Sequence, residues 1–235
     1  MIKFKQSIFA LAMLATLSST LALAEDQSGP NLGEKGAASP QADGVSQLLL
    51  ADQLATYGIQ NADPVAIIQA AKIKLSVAAQ ETAMDKSSDA AGESGAQSEK
   101  KGEGRDLSAE ALLTRAEGMA TGNPTLTALI ADARGSKARG ATRGPSLHKD
   151  RVNANATDRY KLSFKAGETA KVAIVGDGDT DLDLYVYDSN GNEICHDTDY
   201  SDQMYCQWTP RWTGTFKIHI VNRGGVYNRY TLATN

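Results

Sequence analysis

From Asp158 to the C-terminus, apolar side chains recur at every second position. Tyr160, Leu162 and Phe164 alternate with Lys161, Ser163 and Lys165, and the same beat returns in Ala170, Val172 and Ile174. It continues through Leu182, Leu184 and Val186, through Phe216, Ile218 and Ile220, and ends in Tyr230 and Leu232. A period of two places one face of an extended strand in a core and leaves the other in water. Turn-forming stretches separate these runs: Ala166-Gly167-Glu168, Gly176-Asp177-Gly178, Ser189 to Asn192 and Arg223-Gly224-Gly225. Short alternating strands at this spacing predict an antiparallel β-sandwich, and Asn190-Gly191 between apolar runs marks a hairpin. The aromatic residues agree. They make up only 6% of the chain, yet seven of the eight Tyr and both Trp lie beyond residue 159. Aromatic rings supply much of the burial in a small core, so the main core belongs to this segment.

Upstream, the period changes to that of a helix. Leu48, Leu49, Asp52, Leu54 and Ala55 suit a helix ending near Gly58. Asp63-Pro64 opens a second helix carrying Val65, Ile68, Ala71, Lys72 and Leu75. The pattern repeats after residue 106. Leu112, Leu113, Ala116 and Met119 form one stripe, Gly122 closes it, and Asn123-Pro124 opens a helix with Leu126, Leu129 and Ile130. The expected class is α+β in two domains, a sparse helical region (hairpins at 44–85 and 106–134) followed by a jelly-roll-like antiparallel sandwich at 152–235. Composition assigns residues 25–43 to a disordered leader, 86–105 to a flexible linker and 135–151 to a basic linker. In the last of these, Arg134, Lys137, Arg139, Arg143, Lys149 and Arg151 read as a solvated tether rather than an anion-binding surface. No aromatic residue interleaves them to stack on bases, and a formal charge of −4 makes no case for a polyanionic partner. Nucleic acid is therefore not an expected ligand.

Lys3 and Lys5, the apolar run Ile8–Leu17 and Ala22-Leu23-Ala24 read as a secretory signal peptide over residues 1–24. The apolar run falls short of the roughly 20 residues that span a bilayer, so no integral membrane segment is expected after cleavage. The expected location is periplasmic or secreted. The two cysteines, Cys195 and Cys206, then favour a disulfide over metal ligation.

Between Gly176 and Asp202 there is no Lys or Arg, while Asp177, Asp179, Asp181 and Asp183 fall at every second position. Alternate residues of a strand share a face about 7 Å apart, so these carboxylates repel unless water or a cation screens them. Their hard oxygens suit Ca²⁺. Two readings stay open: a calcium site, or a solvated acidic edge that resists pairing with another sheet. Asp188-Ser-Asn190-Gly-Asn192 superficially resembles the start of a calcium loop but lacks the spaced terminal Glu, and reads as a turn.

Several stretches together carry a family likeness: Gly176 to Asp188 (GDGDTDLDLYVYD), Asn190-Gly191, Trp208-Thr-Pro210, Thr213 to Asn222 (TGTFKIHIVN) and Tyr230-Thr-Leu232. Residues 152–235 thereby resemble the bacterial pre-peptidase C-terminal domain. The resemblance implies a jelly-roll-like sandwich, usually attached to secreted proteases. It also implies calcium binding in some members and attachment to insoluble polymers in others. No protease sequence precedes the domain here.

The three histidines give no catalytic pattern. His148 falls in the basic linker, His196 adjoins Cys195, and His219 falls on an outward strand position beside Lys217. The expected function is thus a non-enzymatic binding or adhesion module for an extracellular or periplasmic polymer, glycan or protein. Trp212, Tyr200, Tyr205 and Arg211 are the candidate contact residues, and Trp208 is expected in the core. Two alternatives are an assembly- or secretion-assisting protein that binds a partner through its helices, and a metal-dependent hydrolase using the acidic loop.

Overall fold

The computed structural model describes residues 27–89, 104–136 and 144–235. The signal-peptide segment lies outside the described residues, as do 90–103 and 137–143 of the two linkers. In chain order the elements are α1 (Pro40–Gln60), α2 (Pro64–Ser76), β1 (Gln80–Glu81), β2 (Lys86–Ser88), α3 (Ala109–Met119) and α4 (Pro124–Arg134). Eight strands follow: β3 (Ser146–Val152), β4 (Thr157–Phe164), β5 (Ala170–Gly176), β6 (Leu182–Tyr187), β7 (Glu193–Asp197), β8 (Gln203–Trp208), β9 (Gly214–Asn222) and β10 (Asn228–Thr234).

The strands form two five-stranded sheets, ordered β1-β3-β10-β5-β8 and β2-β4-β9-β6-β7. Every pairing is antiparallel except β1 with β3. Inward positions of both sheets supply one core, in which Phe164, Trp208 and Phe216 meet with ring centroids 4.8–5.8 Å apart. Trp208 is thus a core residue. The fold is α+β, as the two periodicities predict.

The helices start where their capping residues dictate. Asp63 and Asn123 accept hydrogen bonds from the first-turn amides of α2 and α4, each with Pro at the first helical position. Gly58 does not end α1. It lies inside the helix, where a Cβ would fall 2.8 Å from Ile67, so its role is close approach of α2. The helical layer is not a separate tethered body either. Val45 and Leu48 of α1 pack on Ala173 of β5 and Ala233 of β10, while Ile67, Leu112, Leu113 and Ile130 fill the layer behind.

Three segments read from composition as unstructured take part in the sandwich. Residues 27–39 run across its end. Ala37 bridges Glu168, and Asn31 is fully buried against Trp212 and Asp188. β2, from the expected flexible linker, adds an edge strand to β4. β3, from the expected basic linker, pairs with β10 along its whole length. Polar composition hid all three, because each finds its backbone partners in strands far along the chain.

Cys195 and Cys206 form a disulfide. β7 and β8 are edge strands of different sheets, so the bond staples one sheet to the other. His148 lies on β3, not in a tether, with its ring edge-on to Tyr160 at 5.5 Å.

Candidate functional site

Two aspartates of the acidic segment, Asp183 and Asp202, pair with arginines distant in sequence. Asp183, on β6 and 5% exposed, accepts a hydrogen bond of 2.6 Å from Arg223 Nε and one of 3.3 Å from the Tyr185 hydroxyl. Asp202 takes both carboxylate contacts to Arg105 Nη2, at 3.1 and 3.3 Å. Asp177 accepts from the Arg229 amide at 3.0 Å, and the Arg105 amide donates to the Asp177 carbonyl at 2.8 Å. Asp181 stands just before β6. Burial, then repulsion from Asp183 and Asp199, pushes its carboxyl above the usual value.

The side chains expected to hold calcium are not gathered into one cluster. Among the described residues no three His, Cys, Asp or Glu side chains gather where a metal ion would be held. For Asp183 and Asp202, guanidinium groups supply the positive charge. The local window conceals this, because Arg223 is 40 residues from Asp183 and Arg105 is 97 from Asp202. The Asp188–Asn192 loop is the expected turn. Asn192 donates its amide and side chain to Asp188, and Gly191 takes a φ of 88°.

The candidate contact residues do not share one surface. Trp212 is buried, with its backbone held by Asn31. Tyr205 is part-buried against the α1 contact, and its hydroxyl donates to Gln207 at 2.8 Å. Arg211 is exposed, and Tyr200 is fully exposed. The even alternation of β8 signals the inward Trp208, but nothing near Trp212 in sequence signals that residue 31 will cover it.

A cleft of about 1060 Å³ opens instead between the helices and the outer face of the first sheet. Register builds its floor. Lys149 and Arg151 point the same way from β3, Thr231 and Arg229 lie opposite them on β10, and Val175 follows on β5. Its walls come from α1, α2 and residues 104–109. Asp52 of α1 and Lys74 of α2 pair across one wall at 2.6 Å. Burial outweighs this ion pair and raises the Asp52 carboxyl above its usual value. Lys149 reaches Glu81 at 2.6 Å and Arg105 reaches Asp202. Cations and carboxylates are thus mixed around an open groove. The cleft is hidden in the sequence because two of its floor residues, Lys149 and Arg151, lie in a stretch whose composition is that of a tether.

Beneath the cleft lies a buried polar knot. Asp158 accepts from the Tyr230 hydroxyl at 2.8 Å, from Lys86 Nζ at 2.9 Å and from Ser88 Oγ, and the Tyr160 and Tyr230 hydroxyls are bonded to each other. β2 therefore closes the sandwich end by satisfying a buried charge.

No family model and no curated protein matches this chain. Solved structures match part of it. The pre-peptidase C-terminal domain of a Bacillus anthracis collagenase is 8% identical over 37% of this chain and 87% of its own, with a TM-score of 0.31. The Aeromonas hydrophila periplasmic inhibitor of g-type lysozyme is 15% identical over 39% and 84%, at 0.31. The Yersinia pseudotuberculosis-derived mitogen is 11% identical over 39% and 84%, at 0.33. These distant likenesses concern architecture and carry no inference about what this chain binds.

Proposed function

We propose that this protein is an exported, non-enzymatic binding module that takes a segment of extracellular or periplasmic polymer, a glycan, into the cleft between its helices and its sandwich. The observation that carries this reading is the cleft itself: open, walled by packed elements, and lined by ion-paired side chains that present fixed donors and acceptors. Hydroxyl-rich chains are recognised by such groups, since each sugar hydroxyl both donates and accepts. Export is supported by the disulfide, which persists in oxidising compartments. Among the described residues His196 pairs with Glu193 and His219 packs on Tyr187, both away from the cleft lining.

The test is retention of the full chain, disulfide intact, on insoluble glycans in parallel with collagen, and its loss in Thr231→Trp. That indole would fill the floor between Lys149 and Val175. Retention on a glycan that Thr231→Trp abolishes, with the unfolding midpoint within a few degrees of the parent, supports the reading. Undiminished retention by Thr231→Trp overturns it. A second reading, attachment to a partner protein through the helices, draws on the exposed Leu50, Tyr57 and Val65 of α1 and α2. Retention lost only on Leu50→Ser/Tyr57→Ser would favour that reading.

A further inference from the structure

Two cations on the floor of the cleft stand apart from the others. Arg151 and Arg229 are directly opposite each other in the β3–β10 register. Both lie over one ring, that of Tyr227, with guanidinium carbons 5.5 and 5.0 Å from its centroid. Both are exposed, and neither has a carboxylate partner among the described residues. Arg105, Arg159 and Arg223 each hold one and Arg134 holds two, while Arg115 and Arg211, away from the cleft lining, hold none among the described residues.

Like charges directly opposite on neighbouring strands repel. The usual relief is an interposed carboxylate, and here the relief visible on the protein side is the shared aromatic face. Cation–π contact holds both guanidinium groups near the ring without using their N–H donors. Two preoriented donor forks at the mouth of a groove match an oxyanion, which accepts bidentate hydrogen bonds from such forks. We infer that Arg151 and Arg229, held side by side on Tyr227, form the subsite that receives the anionic group of an acidic glycan.

This inference rests on the cleft being the glycan site proposed above. It adds the class of glycan, one carrying a carboxylate or a sulfate ester. The rest of the lining argues for a glycan over a densely charged polyphosphate. Asp52, Asp106 and Asp177 also line the cleft, and would repel phosphates spaced along every unit of a nucleic acid. They would accept hydrogen bonds from hydroxyls flanking a single carboxylate or sulfate.

The experiment uses the full chain with its disulfide and three soluble probes: polygalacturonate, dextran sulfate and neutral dextran. Affinity electrophoresis or calorimetry at low salt compares the parent with Arg151→Gln/Arg229→Gln and with Thr231→Trp. The expected result is binding of at least one acidic probe about tenfold or more tighter than dextran, reduced to the dextran level in the double Gln variant. Which acidic probe wins tells carboxylate from sulfate, and either supports the subsite. Equal binding of acidic and neutral probes, or an acidic preference that survives the double substitution, overturns the subsite and leaves the cleft standing. Binding that survives Thr231→Trp, or absence of binding to all three, overturns the cleft reading as well. Preference for a single-stranded oligonucleotide over both acidic glycans overturns the assignment of ligand class. Both glutamines replace exposed side chains, so an unchanged unfolding midpoint separates lost recognition from lost structure.

Discussion

Asn31 and Trp212, 181 residues apart, exchange two hydrogen bonds of 2.9 Å, the side-chain amide of one answering the backbone N–H and C=O of the other. The Asn31 backbone N–H also donates to Asp188 Oδ2 at 2.8 Å. A segment with no apolar pattern is thereby pinned into the end of the sandwich. Replacing a buried partner strands the groups it served, at about 1–3 kcal/mol each. Asn31→Ala should therefore destabilise the chain by about 2–4 kcal/mol, read as a lowered urea midpoint. A midpoint unchanged from the parent would mean that residues 27–39 are not seated there.

Asp183 is buried, and Arg223 is the cation that answers it. Removing one member of such a pair leaves an uncompensated charge, although the half-exposed Arg223 lets water screen part of the cost. Arg223→Met should cost about 2–3 kcal/mol, and Asp183→Asn in the same chain should recover much of it. A double variant as unstable as the single one would place the defect elsewhere. Calcium at millimolar concentration should leave the thermal midpoint of the parent where it was. A saturable rise would mean that the acids rearrange around a metal.

The Asp188 carboxyl reports on acid stability. Burial alone would raise it, but hydrogen bonds from Asn192, Asn31 and Asn190 hold it below the ordinary carboxylate value. A folded-state value below the unfolded one contributes stability above the unfolded value, and that contribution fades as pH falls through the folded value. Stability measured from pH 6 to pH 2 should decline more steeply in the parent than in Asp188→Asn. Parallel curves would refute the assignment.

Cutting the Cys195–Cys206 bond should cost about 2–3 kcal/mol, the chain-entropy value for a loop of this length. Cys195→Ser/Cys206→Ser should unfold at lower urea while keeping its far-ultraviolet spectrum. A variant as stable as the parent would contradict a stapling role.

Lys86→Met should be among the more damaging changes at a half-exposed position. Asp158 is almost fully buried, and Lys86 is the cation that touches it. About 3 kcal/mol is expected, with Lys86→Arg retaining most of the stability. Denaturant unfolding of the three chains decides the matter.

Much of this architecture can be read from residue order. The sandwich strands are legible because one face of each packs into the sandwich core and the other does not, which gives a period of two. α2 and α4 are legible because Asp63-Pro64 and Asn123-Pro124 combine a side-chain acceptor with a preset φ. β2 and β3 escape because they are edge or near-edge strands rich in polar and charged residues. Lys149 and Arg151 thus look like a tether, although their spacing of two is that of a strand. In the acidic segment the cations that answer Asp202 and Asp183, Arg105 and Arg223, are out of sight for another reason: they are brought to it only by the folded topology. Trp212 shows the same limit, since its cover comes from residue 31. The cleft is least legible of all, because it exists only where α1 and α2 fail to cover the whole face of β3, β10 and β5.

The cross-link between β7 and β8 gains a mechanical meaning from the position of the cleft. A polymer held on β3 and β10 would deliver tension to one sheet alone. Two sheets joined only by apolar contacts would peel apart under such a load. With Cys195 and Cys206 bonded, force entering the loaded sheet passes covalently into its partner, and both layers share the strain of an anchored chain.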